Sequence, residues 1–411
     1  MKGTRVLRNS RFRFFLCGRF FLTLAVQIQA VCIALEVYAL TGDALALGLS
    51  GLAEALPFML IVLPAGYWAD IFVRKRIIIW GGLLFVLSGL LLAAQAFSPI
   101  ENLQVRLCWM YGIISLTGLA RGILGPSIQA TVSNILPREE LPEGIAWNTS
   151  VWQVAAVAGP ALGGILFGWL GGTGTFVLAA FLSTVAWLCF WGIPKHPAGK
   201  APEGSSMRSR LSEGLRFVWK KKVILSALSL DMLAVLFGGA VALLPLFNAE
   251  ILKSGPDGLG ILRSAPALGA VLSALILARN PPIRHSGKLL LACVASFGGC
   301  IIGFALSEFF WLSFALLFLS GVFDGVSVLI RGSIVQLFTP DEMRGRVSAV
   351  NSIFIGSSNE IGAFESGLAA KLLGLVPSVV FGGCMTIGIT ALMGTFSTKL
   401  RKLELKDHLH Q

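Results

Sequence analysis

Leu136-Pro137-Arg138-Glu139 and, 203 positions later, Thr339-Pro340-Asp341-Glu342 open two stretches of one design. The same offset sets Ala120-Arg121-Gly122 against Phe323-Asp324-Gly325, Asn148 against Asn351, Gly159 against Gly362 and Gly164 against Gly367. Both copies are carried on apolar runs long enough to cross a bilayer. The chain therefore reads as two similar halves, each a bundle of spans.

Composition agrees. Of 411 residues, 55% are apolar and 13% charged, and mean hydropathy is +0.80. A soluble chain of that balance would hold more apolar surface than it could bury, so the expected class is an all-α polytopic membrane protein. A span needs about 20 apolar residues. Twelve segments qualify, near 12–40, 45–70, 77–98, 106–134, 143–170, 173–193, 223–251, 258–279, 288–307, 309–338, 345–374 and 376–397. They make two pseudo-symmetric six-helix halves, 1–193 and 223–398, with a linker at 194–222 and a tail at 399–411. Pro197, Pro202, Gly204, Ser205 and Ser206 mark the linker, which closes on Lys220-Lys221-Lys222. Met1 to Arg13 is basic and runs into the first apolar stretch with no small-residue cleavage site, so the first span is expected to stay in the protein. The seven cysteines lie in apolar runs without a CxxC pair, which suggests packing rather than a disulfide framework or a metal site.

Charge sets the orientation. Loops on one side hold 26 of the 33 basic residues, against Arg106 and Lys253 in the opposite loops. The positive-inside rule then makes both termini and the linker cytoplasmic, with the chain in a plasma membrane, the inner membrane of a bacterium. The net charge of +12 is thus an orientation signal and gives no support to a nucleic-acid partner.

The remaining charges fall inside the spans: Arg19 and Glu36 in the first, Glu54 in the second, Arg121 in the fourth, Asp231 and Glu250 in the seventh, Arg263 in the eighth. Asp324 and Arg331 lie in the tenth, and Glu360, Glu365 and Lys371 in the eleventh. Spans 3, 6, 9 and 12 hold none. A charge near the bilayer centre costs several kcal/mol, so it faces a water-filled cavity or a partner. Arg121, Asp231, Asp324, Arg331, Glu360 and Glu54 are the candidates for ion coupling or a substrate cavity. Glu36, Glu250, Arg263 and Lys371 sit close enough to span ends to reach the interface. Asp324 and Arg331 share a helix face but stand about 10.5 Å apart along the axis, too far for a direct pair. Arg19, Trp147, Asn148, Trp152, Gln153 and Asn351 offer polar and aromatic surface for a substrate.

Gly66-Tyr67-Trp68-Ala69-Asp70 followed by Arg74-Lys75-Arg76, between spans 2 and 3, resembles the signature loop of the major facilitator superfamily. The chain departs from that loop at Ile71 and Val73, where the family usually has Arg directly after the Asp and Gly shortly afterwards. The resemblance implies that Asp70, with Arg74 and Arg76, gates the cytoplasmic helix ends. Gly159-Pro160-Ala161-Leu162-Gly163-Gly164 in span 5 resembles the GPxxGG motif of exporters and antiporters in the same superfamily, and implies a bending or sealing segment at Gly159, Pro160, Gly163 and Gly164. Arg121-Gly122 is similar to the family's membrane-embedded arginine motif, linked there to proton coupling. Thr41-Gly42-Asp43, Pro57 and the run from Thr339 to Val347 resemble the branch of enterobactin exporters and macrolide efflux proteins.

Enzyme readings find no motif: GxSxG, HExxH and GxxxxGK[ST] are absent, and all four histidines lie in loops or the tail. No catalytic residue, metal or cofactor is expected. The expected function is a monomeric secondary transporter in the lipid bilayer, exporting a small-molecule substrate, a siderophore or a drug-like compound, against protons. Uniport or import of a metabolite is the alternative within transport; a receptor or enzyme on the same fold is a minor one.

Overall fold

The computed structural model describes residues 6–97, 100–194, 207–279, 285–340 and 343–408. The side chains of Asp70 and Glu360, both singled out above, lie outside the described residues, as do those of Arg138 and Arg344 and most of the linker.

Among the described residues every element is a helix. The order is α1 (Ser10–Thr41), α2 (Ala44–Ile71), α3 (Arg74–Phe97), α4 (Leu103–Ile135), α5 (Leu141–Trp191), α6 (Met207–Lys220) and α7 (Lys222–Phe237). The chain continues with α8 (Leu244–Leu246), α9 (Gly255–Arg279), α10 (Ser286–Leu306), α11 (Phe310–Leu337), α12 (Arg344–Leu373), α13 (Leu375–Phe396) and α14 (Thr398–Arg401). Lipid offers no hydrogen bonds, so a spanning chain must close its backbone bonds within the segment. The ends are capped accordingly. The Asn9 side chain accepts from the Arg11 and Phe12 amides at the start of α1, and Gly42, at φ 59°, ends it by donating to the Tyr38 carbonyl.

Among the described residues, ten helical stretches are long and apolar enough to cross a membrane. One of them lies in α5, whose 51 residues break at Gly171 (φ 67°, ψ −177°) into two arms, each long enough to be a span. Only glycine adopts that conformation at low cost, and the loop expected near 171–172 is this one residue. The 30-residue α12 is not among the ten. The stretch read as an unbroken span at 223–251 is interrupted. α7 stops at Gly238-Gly239, and the chain resumes as a 3-10 turn (Ala240–Leu243), α8, and a π-turn (Phe247–Leu252). Consecutive glycines weaken the helix, and Pro245 supplies no backbone donor. The stretch read as a plain linker also contains a helix, α6, whose periodic pattern was obscured by the Pro, Gly and Ser residues before it.

The chain divides into two compact units, one within residues 1–42, 53–203 and 255–264, the other within 43–52, 204–254 and 265–411. Phe12, Phe15, Ile78, Phe85, Leu124 and Phe190 form the buried core of the first. Ile224, Leu228, Leu230, Ile330, Ile334 and Val350 do so in the second. In each unit a helix of one sequence half lends its first turns to the other, and glycine marks the crossing. In the first unit α5 meets α9 at Gly164 and Gly260; a Cβ on Gly164 would stand 2.7 Å from the Gly260 Cα. In the second α2 meets α12 at Gly48 and Gly367, with 2.8 Å to the Gly48 Cα.

A further crossing also repeats. Gly118 of α4 abuts the Glu54 carbonyl of α2, and Gly321 of α11 abuts the Pro266 carbonyl of α9. One turn on, Gly122 packs on Phe58 and Ile61, and Gly325 on Ala270 and Ser273. The second helix of each half therefore follows an offset of 212 (48 to 260, 54 to 266, 58 to 270, 61 to 273), while the fourth and fifth keep 203. A methyl group at these crossings must push two backbones apart. Gly118→Ala and Gly321→Ala should each cost about 1–3 kcal/mol, read as a lower melting temperature in detergent. Gly112→Ala on the same helix as Gly118, where a Cβ meets open space, should leave it unchanged or slightly raised.

Candidate functional site

In the first unit, the bare backbone at Gly118 and Gly122 lets α2 lie against α4, and this brings two charges together. Arg121 Nη1 donates to Glu54 Oε1 at 2.7 Å, and the guanidinium carbon stands 4.7 Å from the centroid of the Phe58 ring. The pair remains accessible, with 36% of the Arg121 side chain exposed, so the arginine is neutralised without being sealed off. Nearby, Gln29 Nε2 donates to Thr117 Oγ1 at 3.3 Å. Arg19 Nε is buried with no hydrogen-bond partner among the described residues.

α1 packs along the first arm of α5 through Gly159, which faces Gln27, and Gly163, which faces Ile28 and Val31. Pro160 between them has no N–H, so the carbonyl of Ala156 four residues earlier loses its helical donor. Gln27 Nε2 donates to that carbonyl at 3.5 Å. A polar side chain from the facing helix thus restores the bond that the proline removes, as the membrane interior requires. Farther along α5, Trp147 packs against the core cluster, Trp152 is 44% exposed, Gln153 is half-buried, and the buried Asn148 Oδ1 has no described partner. Between α2 and α3, Arg74 donates through Nε to the Ala69 carbonyl at 3.0 Å. Through Nη1 it donates to the Ala130 carbonyl and Asn134 Oδ1, at 3.1 and 2.9 Å. It therefore ties the last turn of α2 to that of α4, while Arg76 is exposed.

In the second unit, Asp231 of α7 and Arg331 of α11 form an ion pair with side chains 9% and 5% exposed. Asp324 lies two turns before Arg331 and does not pair with it. It borders a cleft about the size of one water molecule, lined by Asp231, Phe297, Phe323 and Ser327 among others. Asp324 has no hydrogen-bond or ion-pair partner among the described residues. The repeat explains this. Asp324 follows Gly321 by one turn as Arg121 follows Gly118, but the position that supplies Glu54 in the first unit is Pro266 in the second. A proline offers no side-chain charge or donor, so the local charge of the Asp231, Arg331 and Asp324 group is −1 when all are ionised. Asn351 Oδ1 is buried and has no partner among the described residues, like Asn148 at the matching position. Glu365 is half-buried on α12. Among the described residues, no group of His, Cys, Asp and Glu is arranged to hold a metal.

Sequence reasoning found the charged residues and missed their pairing, along with Gln27 and Phe58. The 212 offset was the available signal for Glu54, but it rests on small residues and a charge facing a proline. Glu36 pairs with Arg106 at 2.6 Å and Lys371 with Asp43 at 3.3 Å, both near helix ends.

The chain resembles known proteins along nearly its whole length. A family model described as transmembrane secretion effector matches residues 3–410. The enterobactin exporter EntS of Shigella flexneri is 25% identical over 395 residues, covering 93% of this chain and 91% of that protein. EntS of Escherichia coli O139:H28 is 24% identical over 393 residues, with the same coverage. Among solved structures, a POT family transporter in complex with a thioalcohol-conjugated peptide superposes with a TM-score of 0.74 at 13% identity, covering 95% of this chain and 96% of that one. A bacterial homologue of the human lysosomal transporter Spinster, inward-facing and unoccupied, gives 0.66 at 14% identity, covering 98% of each chain. At these identities the solved structures bear on the fold alone.

The buried pair has a consequence for stability. Arg331→Leu leaves the Asp231 carboxylate buried without its partner and should cost about 3–5 kcal/mol, measured by melting of the purified protein. The double variant Asp231→Leu/Arg331→Leu should recover most of that loss, because two apolar side chains carry no desolvation penalty.

Proposed function

From the premise that this chain belongs to the transmembrane secretion effector family of the major facilitator superfamily, a multi-pass membrane transporter and not an enzyme, we propose that it is a proton-driven exporter of a small polar molecule. Counting the two arms of α5 separately and including α12 gives the twelve spans of such a transporter, with termini and linker in the cytoplasm of a bacterial inner membrane. The halves are 1–193 and 223–398, and the protein works as a monomer.

The observation that carries the proton coupling is the unpaired Asp324. Asp231 is held by Arg331 and Glu54 by Arg121, so each is already compensated. Of these carboxylates, Asp324 alone sheds an uncompensated charge when it takes up a proton, whereas protonating Asp231 or Glu54 would strip an arginine of its counter-ion. Ionised, it holds a −1 charge against apolar helices, and a protonated carboxyl relieves that cost. A proton taken from outside and released to the cytoplasm would thus bias which way the substrate path opens, and substrate would leave against it. Asp70, Arg74 and Arg76 gate the cytoplasmic ends, and Gly159, Pro160, Gly163 and Gly164 form the bendable part of α5. The similarity to enterobactin exporters, with Arg19, whose buried Nε has no partner among the described residues, supports an acidic chelator of the siderophore class as cargo. Trp147, Asn148, Trp152, Gln153 and Asn351 are proposed contacts, and Glu360 is a secondary candidate for coupling.

The test is uptake of siderophores, macrolides and lipophilic cations into inside-out vesicles, with and without an uncoupler. The expected result is accumulation of a siderophore that an uncoupler collapses. Asp324→Asn should lose uphill accumulation by tenfold or more, about 1.4 kcal/mol of coupling or above, while keeping downhill exchange; Asp324→Glu should keep both. Accumulation of a macrolide instead would reassign the cargo. Downhill flux insensitive to the uncoupler in the native protein would make it a uniporter, and full pH-driven accumulation in Asp324→Asn would remove the residue from the mechanism.

A further inference from the structure

The helix in the linker has a use that transport does not require. α6 buries one face and fixes it firmly. Val218 is 1% exposed within the core cluster of the second unit, and Leu215 and Phe217 pack against it. Gly214 seats on the Arg346 backbone of α12, and Glu213 forms an ion pair with Arg346 itself. The opposite face carries Arg216, Trp219 and Lys220, at positions i, i+3 and i+4, which stack on one side of a helix. All three are exposed, and Trp219 shows 67% of its surface although its apolar neighbours are covered. Lys221 and Lys222, also exposed, follow at once, and Lys222 is the first residue of α7, so this face lies where a membrane-spanning segment begins. Lys221 Nζ stands 5.9 Å from the Phe217 ring, which keeps that cation near the same helix end.

A large indole flanked by cations is poorly matched to water. It suits the boundary between acyl chains and headgroups, where the ring is buried and its N–H and the neighbouring cations meet phosphate. We propose that this face of α6 binds the headgroups of anionic phospholipids in the leaflet that the linker faces. Because Glu213 of the same helix pairs with Arg346, lipid bound to α6 lies close to the start of α12. The assignment of the leaflet to the cytoplasmic side rests on the orientation proposed above; the binding itself does not.

The experiment titrates short-chain phosphatidylglycerol into the full-length protein, purified in a neutral detergent, and follows the melting temperature. Phosphatidylcholine and inorganic phosphate serve as parallel titrants. The native protein should be stabilised by phosphatidylglycerol alone. Arg216→Gln/Lys220→Gln should weaken the apparent affinity about thirtyfold, and Trp219→Ala should weaken it as well. Both should melt close to the native protein without lipid, since these side chains are mostly exposed. Lys399→Gln/Arg401→Gln/Lys402→Gln, on the tail, should respond like the native protein. Equal weakening by the tail variant would show a diffuse charge effect, stabilisation by inorganic phosphate a simple anion site, and an unchanged response in the α6 variants no site there; each overturns the proposal. Because lipid binding is read without transport, a failure of the exporter reading appears only in the vesicle assay.

Discussion

Two membrane helices come into backbone contact only where no Cβ stands between them, and Gly118 and Gly321 create that contact in the two units. The positions of the charged groups follow from it. Once α2 lies against α4, Glu54 is one turn from Arg121 and the two neutralise each other. Once α9 lies against α11 in the same manner, the residue in Glu54's place is Pro266, and Asp324 is left without a counterpart. An identical crossing thus yields a compensated arginine in one half and an uncompensated aspartate in the other.

Backbone accounting governs the rest of the architecture. Within lipid a carbonyl that loses its donor must find another, and Gln27 supplies one to Ala156 opposite Pro160. The proline can therefore remain in α5, where it weakens the helix without leaving an orphaned group. The interruption of α7 at Gly238-Gly239 is accommodated differently. Gly239 fits against Gly362 and Ser366, and Gly382 against the Phe237 carbonyl, so the break itself is packed against α12 and α13. Irregular backbone at membrane depth is tolerated only when protein covers it, and glycine on the neighbouring helices permits that cover.

At the loop end of the second unit a further layer closes the bundle. Leu400, Leu403 and Leu405 from the tail join Val218 of α6 in one cluster, and the Gly287 amide at the start of α10 donates to the Leu403 carbonyl at 3.1 Å. The tail thus satisfies an amide that a helix N-terminus would otherwise leave open. α6 and the tail residues from Leu400 to Leu405 are structural parts of this unit, which their charge-rich sequences conceal.

Much of this protein is legible in its sequence. Apolar run lengths and the 203-residue repeat determined an all-α membrane protein in two similar halves, because spanning length and self-similarity are properties of a sequence alone. The list of charged residues inside the spans was equally legible, since the cost of burying a charge makes each of them conspicuous. Their partners were not. Glu54 meets Arg121, and Asp231 meets Arg331, across 67 and 100 residues of chain, and pairing at such separation depends on which helix faces touch. The breaks at Gly171 and Gly238-Gly239 also required the structure, because hydropathy is blind to backbone angles. The isolation of Asp324 was least accessible of all: it depends on which side chains of α7 and α10 line the cleft that it borders, and only the packing of those helices on α11 decides that.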